Sequence, residues 1–233
     1  YVFGIPGEEN LDFVDALNES SIELIVTRHE QGAAFMADIV GRLTGKPGVC
    51  FSTLGPGATN LVTGVADANM DHAPLIAIAG QAGIDRLHKE SHQVLDLVRM
   101  FEPITRYASR VVTPSAIPET VRRAAKFAEA GKGGASFIEL PEDVAAMPVE
   151  AGFADPLPVT ANGESEPREA SLEQAARLLS EAKHPIILAG HGVVRAEASE
   201  ALASLAERLN IPVANTFMAK GVIPFRHPMA LGS

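Results

Sequence analysis

The chain has 233 residues, of which 46% are hydrophobic and 21% charged, and this composition excludes a disordered chain or a collagen-like repeat. Its 19 basic and 29 acidic residues give a net charge of −10, so we expect no nucleic acid partner. Cys50 is the only cysteine, which excludes an intrachain disulfide and is consistent with a cytoplasmic setting. The apolar runs fall far short of the ~20 residues that span a membrane, so we expect no membrane partner.

Short apolar runs alternate with helical periodicity along the first part of the chain. Runs typical of strands occupy residues 1–4, 22–26, 48–53, 75–79, 105–111 and 135–140. Apolar residues at helical spacing occupy residues 9–17, 30–43, 58–70 and 117–130. This alternation predicts an α/β fold, in which a parallel sheet has helices on both faces, for a first domain of residues 1–150.

The pattern stops where prolines and small polar residues take over, which predicts a linker at residues 151–170. The alternation resumes with a helix at 171–183, a strand at 185–189, a helix at 196–209 and a strand at 211–215. Ser171, with Gln174 three residues later, predicts a capping box at the start of the first of these helices. The tail from residue 228 shows neither helix nor strand. We therefore expect residues 171–233 to be an incomplete second domain, and the chain to be part of a polypeptide that is longer at both ends.

Residues with chemical potential follow the predicted strands. Glu30 comes after the second strand at the start of a helix, and glycine-rich turns at residues 4–7, 55–57 and 80–81 follow the first, third and fourth strands. Because the carboxyl ends of parallel strands share one edge, we expect these segments to lie together. Such turns expose backbone amides, and a partly buried carboxyl can share a proton with a ligand nitrogen. An acid favoured by the helix dipole and ordinary tight turns are the alternative interpretations.

Several motifs agree in order and spacing with one enzyme family. They are VFGIPG at 2–7, RHEQ at 28–31, residues 42–48, GPGATN at 55–60, GQ at 80–81, HQ at 92–93 and LPEDV at 140–144. On these motifs the first domain resembles the pyrimidine-binding domain of thiamine diphosphate (ThDP) enzymes, and within them most closely the catalytic large subunit of the acetolactate synthases. Residues 185–190 and 212–216 resemble the first part of the central domain of the same family.

The resemblance implies that pyruvate is decarboxylated and joined to a second 2-keto acid, which gives acetolactate. It assigns to Glu30 the hydrogen bond to the aminopyrimidine of ThDP, which favours the imino tautomer that removes the thiazolium proton. It places Gln93, and with it His92, opposite the reacting carbonyls, and a solvated polar helix cap is the alternative. The residues that it expects to bind the cofactor are Gly4, Ile5, Pro6, Gly7, Glu30, Thr53, Gly55, Pro56, Gly57 and Asn60.

The resemblance also implies partners. The pyrimidine domain of one subunit faces the diphosphate domain of another, so a homodimer or a dimer of dimers is expected, with a regulatory small subunit as a further candidate partner. Mg2+ belongs to the third domain of the family, so no metal site is expected in these residues, and the 233 residues alone are expected to be inactive.

The subtype within the family stays open. Biosynthetic relatives, which serve branched-chain amino acid synthesis, bind FAD after the strand at 185–189, and His191 interrupts the glycines there, which disfavours FAD. His92 before Gln93 is closer to the FAD-independent catabolic branch, which leads to acetoin, whereas residues 215–221 are closer to the biosynthetic pattern. Another ThDP enzyme, of the oxalyl-CoA or sulfoacetaldehyde type, and a non-catalytic protein with the ThDP fold are the alternatives.

Overall fold

A computed structural model describes residues 1–149 and 166–233 of the chain. The chain divides into two compact units, with the division between residues 162 and 163. Most of the linker predicted at 151–170 lies outside the described residues, so the domain boundaries stay a prediction.

The first unit is built on one sheet of six parallel strands. The strands are β1 (Val2–Gly4), β2 (Leu24–Val26), β3 (Gly48–Ser52), β4 (Leu75–Gln81), β5 (Tyr107–Arg110) and β6 (Ala135–Pro141). The α-helices described in this unit are α1 (Leu11–Asn18), α2 (Glu30–Thr44), α3 (Pro56–Met70), α4 (Leu97–Phe101), α5 (Ile117–Glu129) and α6 (Glu142–Ala146). The strand order is β2-β1-β3-β4-β6-β5.

Helices cover both faces of this sheet. On one face, α2, α3 and α4 pack on a core that includes Leu61, Phe101 and Phe137. On the other face, α5 and α6 pack against Ile138, and α1 packs against Phe51. The seven-residue central strands β4 and β6 are buried almost throughout, as expected for strands between two helical layers. The predicted α/β fold class is confirmed.

The close packing of α2 depends on two glycines. A Cβ at Gly41 of α2 would overlap the carbonyl oxygen of Pro74, which precedes β4. A Cβ at Gly48 of β3 would overlap the carbonyl oxygen of Ala37 of α2. Because both clashes would be with backbone atoms, neither position accepts a larger residue without movement of an element.

The sequence-based boundaries differ from the structure by a few residues, and some short elements were not predicted. Strand β4 runs to Gln81, two residues beyond the predicted end at 79. The five-residue helices α4 and α6 were not predicted, because so short a helix offers little more than one turn of periodicity.

The second unit contains a parallel sheet of three strands in the order β7-β8-β9. Its elements are α7 (Glu169–Glu181), β7 (Ile187–Ala189), α8 (His191–Arg195), α9 (Ser199–Leu209), β8 (Val213–Asn215) and β9 (Ala230–Gly232). A small core around Ala206, Val213 and Val222 holds these elements together.

Two predictions in this unit are wrong. Arg168 occupies the N-cap position of α7, so Ser171 lies inside the helix and caps nothing. Glu169 and Ala170 are helix formers that extend the helix beyond the expected cap. The tail after residue 228 contains β9, which pairs with β8. Its residues, Ala230–Gly232, include no β-branched or aromatic side chain, so the sequence gives no strand signal and only the pairing reveals this strand.

Candidate active site

The candidate site lies at the carboxyl edge of the first sheet, where β1, β2 and β3 end. All three strands are parallel, so their following loops emerge on the same side. The loop after β1 contains the glycine turn at 4–7, the loop after β2 leads to Glu30, and the loop after β3 leads to α3. The contacts described next bring these three loops together, as expected.

Glu30 is the first residue of α2 and is partly buried. The helix begins here because His29 is extended and its ring Nδ1 accepts a hydrogen bond from the Gln31 amide at 3.1 Å. Asn60 of α3 donates from its Nδ2 to Glu30 Oε2 at 2.9 Å. None of the residues that the structure describes donates a hydrogen bond to Oε1, so this oxygen is available to a ligand.

Gly57 keeps the space beside that oxygen open. A Cβ at Gly57 would lie 3.5 Å from Glu30 Oε1 and 2.9 Å from Thr53 Cγ2. With glycine there, the backbone at the start of α3 faces the carboxylate without an intervening side chain. Pro56, the first residue of α3, is exposed.

The turn after β1 is held in place by Asn10. Its Oδ1 accepts from the Gly7 amide at 2.9 Å, and its Nδ2 donates to the Ile5 carbonyl at 3.4 Å. A Cβ at Gly7 would lie only 2.7 Å from the Cβ of Thr53. The turns after β1 and β3 are therefore in close contact, and Pro6 of the first turn is exposed.

Glu9 is a second carboxylate at this edge, and sequence reasoning missed it. Thr53 Oγ1 donates to Glu9 Oε2 at 2.6 Å, across 44 positions of the sequence. The acidic pair Glu8 and Glu9 directly after a glycine turn is the signal that could have found it. The hydrogen bond ties the loop after β1 to the end of β3.

Gln93 reaches the site from the loop that follows β4. Both Gln93 and Gly55 have positive φ, at 56° and 50°, and a Cβ at Gly55 would lie 2.6 Å from the Gln93 carbonyl oxygen. This close approach brings Gln93 against the start of α3. His92 is exposed, and none of the described residues hydrogen-bonds its ring, so the structure does not join it to the other site residues.

The site offers carboxylates and backbone amides rather than a metal cage. Among residues 1–149 and 166–233 there is no group of three or more His, Cys, Asp or Glu side chains that could hold a metal ion. Burial raises the pKa of the Cys50 thiol to about 12, so this thiol is not a nucleophile near neutral pH. The chemistry open to the site is hydrogen bonding and proton exchange at Glu30.

In the second unit, residues 190–192 follow β7. His191 begins the short helix α8, and its ring Nδ1 lies 3.0 Å from the Met218 carbonyl oxygen. The imidazole is therefore engaged within its own unit.

Two models of one family match the chain. Residues 1–100 match the N-terminal TPP binding domain of thiamine pyrophosphate enzymes, TPP being another abbreviation for ThDP, and residues 172–233 match their central domain. The chain belongs to the thiamine pyrophosphate enzyme family. The predicted resemblance is thus confirmed, for the N-terminal and for the central domain.

Curated relatives point to one branch of this family. Over 99% of its own length, the chain is 43% identical to a probable acetolactate synthase large subunit of Methanocaldococcus jannaschii. It is 39% identical to the acetolactate synthase large subunit of Corynebacterium glutamicum over 99%, and 41% identical to an acetolactate synthase of Bacillus subtilis over 96%. The chain spans 40%, 37% and 39% of these three relatives.

No helix within the described ranges is long and apolar enough to cross a membrane.

Proposed function

We propose that this chain provides the pyrimidine-binding half of the active site of an acetolactate synthase. That enzyme decarboxylates pyruvate and joins the remaining two-carbon unit to a second 2-keto acid. The observation that carries the proposal is the Glu30 carboxylate, which Asn60 holds through one oxygen while the other faces the bare backbone at Gly57. The similarity to acetolactate synthases over almost the whole chain supports the choice of reaction.

The residues at this edge fit the aminopyrimidine of ThDP. A planar ring with both donor and acceptor nitrogens requires a carboxyl partner and access to backbone groups, and the edge offers both at Glu30 and at the glycine turns. Glu30 would hold a proton at Oε1 facing a ring nitrogen, and the turns at 4–7 and 55–57 would bind and orient the ring. When bound, ThDP supplies the electron sink for the decarboxylation.

The first test is Glu30→Gln in the complete polypeptide that carries these residues. The amide keeps the size and the hydrogen bonding of the side chain but cannot exchange a proton. We expect acetolactate formation from pyruvate, at saturating ThDP and Mg2+, to fall about 100-fold or more.

The matched control is Glu19→Gln, which removes an exposed carboxylate just after α1. It should retain the wild-type rate. A wild-type rate in Glu30→Gln would refute the assignment of Glu30. Turnover of oxalyl-CoA or sulfoacetaldehyde in place of pyruvate would favour the alternative ThDP enzymes.

The second test uses the 233-residue chain by itself. We expect no acetolactate from pyruvate with added ThDP and Mg2+, because the proposed function assigns diphosphate and Mg2+ binding to a third domain. Each site would also need the diphosphate domain of a second subunit, in a homodimer or a dimer of dimers. Measurable turnover by the isolated chain would contradict this division of the site.

FAD and the regulatory small subunit are secondary parts of the proposal. His191 stands within the glycine turn after β7, and its ring contacts Met218, so we propose an FAD-independent enzyme. Flavin absorbance bands that copurify with the complete polypeptide would contradict this. The regulatory small subunit, the cytoplasmic location and the choice between branched-chain amino acid synthesis and acetoin formation stay predictions from the resemblance.

A further inference from the structure

The loop between β4 and α4, residues 82–96, carries Gln93. A pocket of about 490 Å3 is lined by residues of the loop and by Arg110 of β5. The only regular structure in the loop is a short 3-10 helix, Ile84–Arg86. Residues that line a pocket have fewer packing contacts on that side, so hydrogen bonds contribute more to fixing their position.

Gln81 anchors the end of the loop nearest to Gln93. This last residue of β4 is fully buried. Its Nε2 donates to the Leu95 carbonyl at 2.9 Å and to Glu139 Oε1 at 2.6 Å, while its Oε1 accepts from the Ala82 amide at 3.0 Å. The side-chain amide group of Gln81 thus uses both its protons and its oxygen. If this amide group were flipped, its oxygen would face the Leu95 carbonyl and the Glu139 carboxylate, which are both acceptors. Leu95, two residues after Gln93, is thereby fixed to the sheet.

Glu139 holds Gln81 in this orientation. It lies on β6, it is fully buried, and its second oxygen is paired with the Arg110 guanidinium of β5. A buried carboxylate without partners is strongly destabilising, so Glu139 keeps both neighbours in place. The contacts form one chain from Arg110 through Glu139 and Gln81 to Leu95.

The loop is also held at its other end and in its middle. The amides of Gly83 and Ile84 donate to Glu142 and Asp143 of α6 at 3.2 and 2.9 Å. Between the two anchors, Gln93 packs on Gly55. Gln93 therefore lies between a segment held by α6 and Leu95, which Gln81 holds two residues further along the chain.

We propose that Gln81 and Glu139 are positioning residues, which place Gln93 at the active site and thereby set the preference among acceptor 2-keto acids. The proposal rests on the proposed function, in which Gln93 faces the reacting carbonyls. Gln81 and Glu139 act only through the loop.

The first test is hydrogen exchange, which requires neither cofactor nor activity. In Gln81→Met and in Glu139→Gln, the amides of residues 87–96 should exchange roughly tenfold faster than in the wild type. The matched control is Ser136→Ala. Ser136 lies on the same strand as Glu139, and the substitution removes the buried hydrogen bond that Ser136 Oγ donates to the Ala124 carbonyl. It should leave the exchange of the loop unchanged. Unchanged loop exchange in Gln81→Met and Glu139→Gln would overturn the proposal.

The second test measures acceptor preference in the complete polypeptide. Pyruvate and its one-carbon-longer homologue compete as acceptors, and the product ratio is measured together with the affinity for ThDP. Gln93→Ala, Gln81→Met and Glu139→Gln should shift the ratio in the same direction by about threefold or more. The affinity for ThDP should change less than about twofold, and Ser136→Ala should change neither quantity.

The outcomes separate the two proposals. If Gln93→Ala shifts the ratio and the other two variants do not, the positioning role is refuted and the proposed function stands. If Gln93→Ala does not shift it, the role of Gln93 fails and the positioning role fails with it. If Gln81→Met does not fold, Glu139→Gln decides both tests, because it keeps the side-chain volume but offers a single acceptor oxygen to the two donors, Gln81 and Arg110.

Discussion

Arg42 joins helices α2 and α3 through three carboxylates. Its guanidinium lies 2.8 Å from Asp38, 3.0 Å from Asp67 and 2.8 Å from Asp71. Only 3% of the Asp38 side chain is exposed. Burial raises the pKa of Asp38 above its ordinary 3.8, although the Arg42 hydrogen bond and charge act in the opposite direction. Asp38 is therefore easier to protonate in the folded chain than in the unfolded chain.

This difference gives a stability prediction with a definite sign. Because the folded pKa is raised, the contribution of Asp38 to the free energy of unfolding is fully present below its unfolded pKa and is lost as the pH rises through the folded pKa. Carboxyl NMR titration should place the midpoint of Asp38 above 3.8.

Glu119 is the internal control for this titration. The hydrogen bond from Arg122 lowers the pKa of Glu119 below its ordinary 4.5, so its contribution to stability is lost as the pH falls. A midpoint of Asp38 at or below 3.8, in the same experiment, would contradict the prediction.

Within the site, a residue could be predicted where a sequence motif marks it, and not where its role depends on a contact with a distant residue. The sequence indicated Glu30 and Asn60 through motifs, and the structure joins the two by a hydrogen bond across 30 positions. Glu9 was missed because the acidic pair after the glycine turn does not reveal its partner, Thr53, which lies 44 positions away on a separate loop.

At the scale of elements, helix α2 contains glycines of two different kinds. Gly41 lies where a Cβ would strike the carbonyl oxygen of Pro74, whereas a Cβ at Gly32 would meet no atom within 4 Å. Both have the same helical backbone, so the surroundings alone distinguish them.

Alanine at each position should therefore act in opposite directions. Gly41→Ala should destabilise the first unit by about 1–3 kcal/mol, through overpacking. Gly32→Ala should stabilise it by about 0.5–1 kcal/mol, because alanine restricts the unfolded chain. Urea unfolding followed by tyrosine fluorescence measures both changes, since the two tyrosines, Tyr1 and Tyr107, lie in the first unit. A Gly41→Ala variant as stable as the wild type would contradict the packing of α2.

The helices that were predicted and those that were missed differ in length. The predicted core of β4 is contained within a seven-residue strand, and α2 and α3, of 15 residues each, match their predictions within two residues. The five-residue helices and β9 depend on the surfaces that they pack against.

At the scale of the whole molecule, the two units differ in the cores that support them. The first has six strands, and its two central strands are seven residues long and buried between helical layers. The second has three strands of three residues each, with Leu188 of β7 70% exposed. Short strands with an exposed face bury little apolar surface, so local unfolding of such a sheet costs less free energy.

Hydrogen exchange should reveal this difference in the 233-residue chain. We expect the amides of β4 and β6 to exchange at least tenfold more slowly than those of β7 and β8, since about 1.4 kcal/mol of extra opening free energy already gives that factor. Equal protection in the two sheets would show that the second unit is as stable as the first. The free amides of edge strands are excluded from the comparison.

The sequence by itself determined the α/β class, the family and the position of Glu30 at the start of the helix that follows a strand. They rest on periodicity and motif spacing, which are local features of the sequence, together with the rule that parallel strands end at one edge of a sheet. Only the tertiary structure decided which Glu30 oxygen is held, that Glu9 joins Thr53, and that Gln81 meets Glu139 across 58 positions. Such pairings depend on the strand order β2-β1-β3-β4-β6-β5, which places distant segments side by side and leaves no local signature.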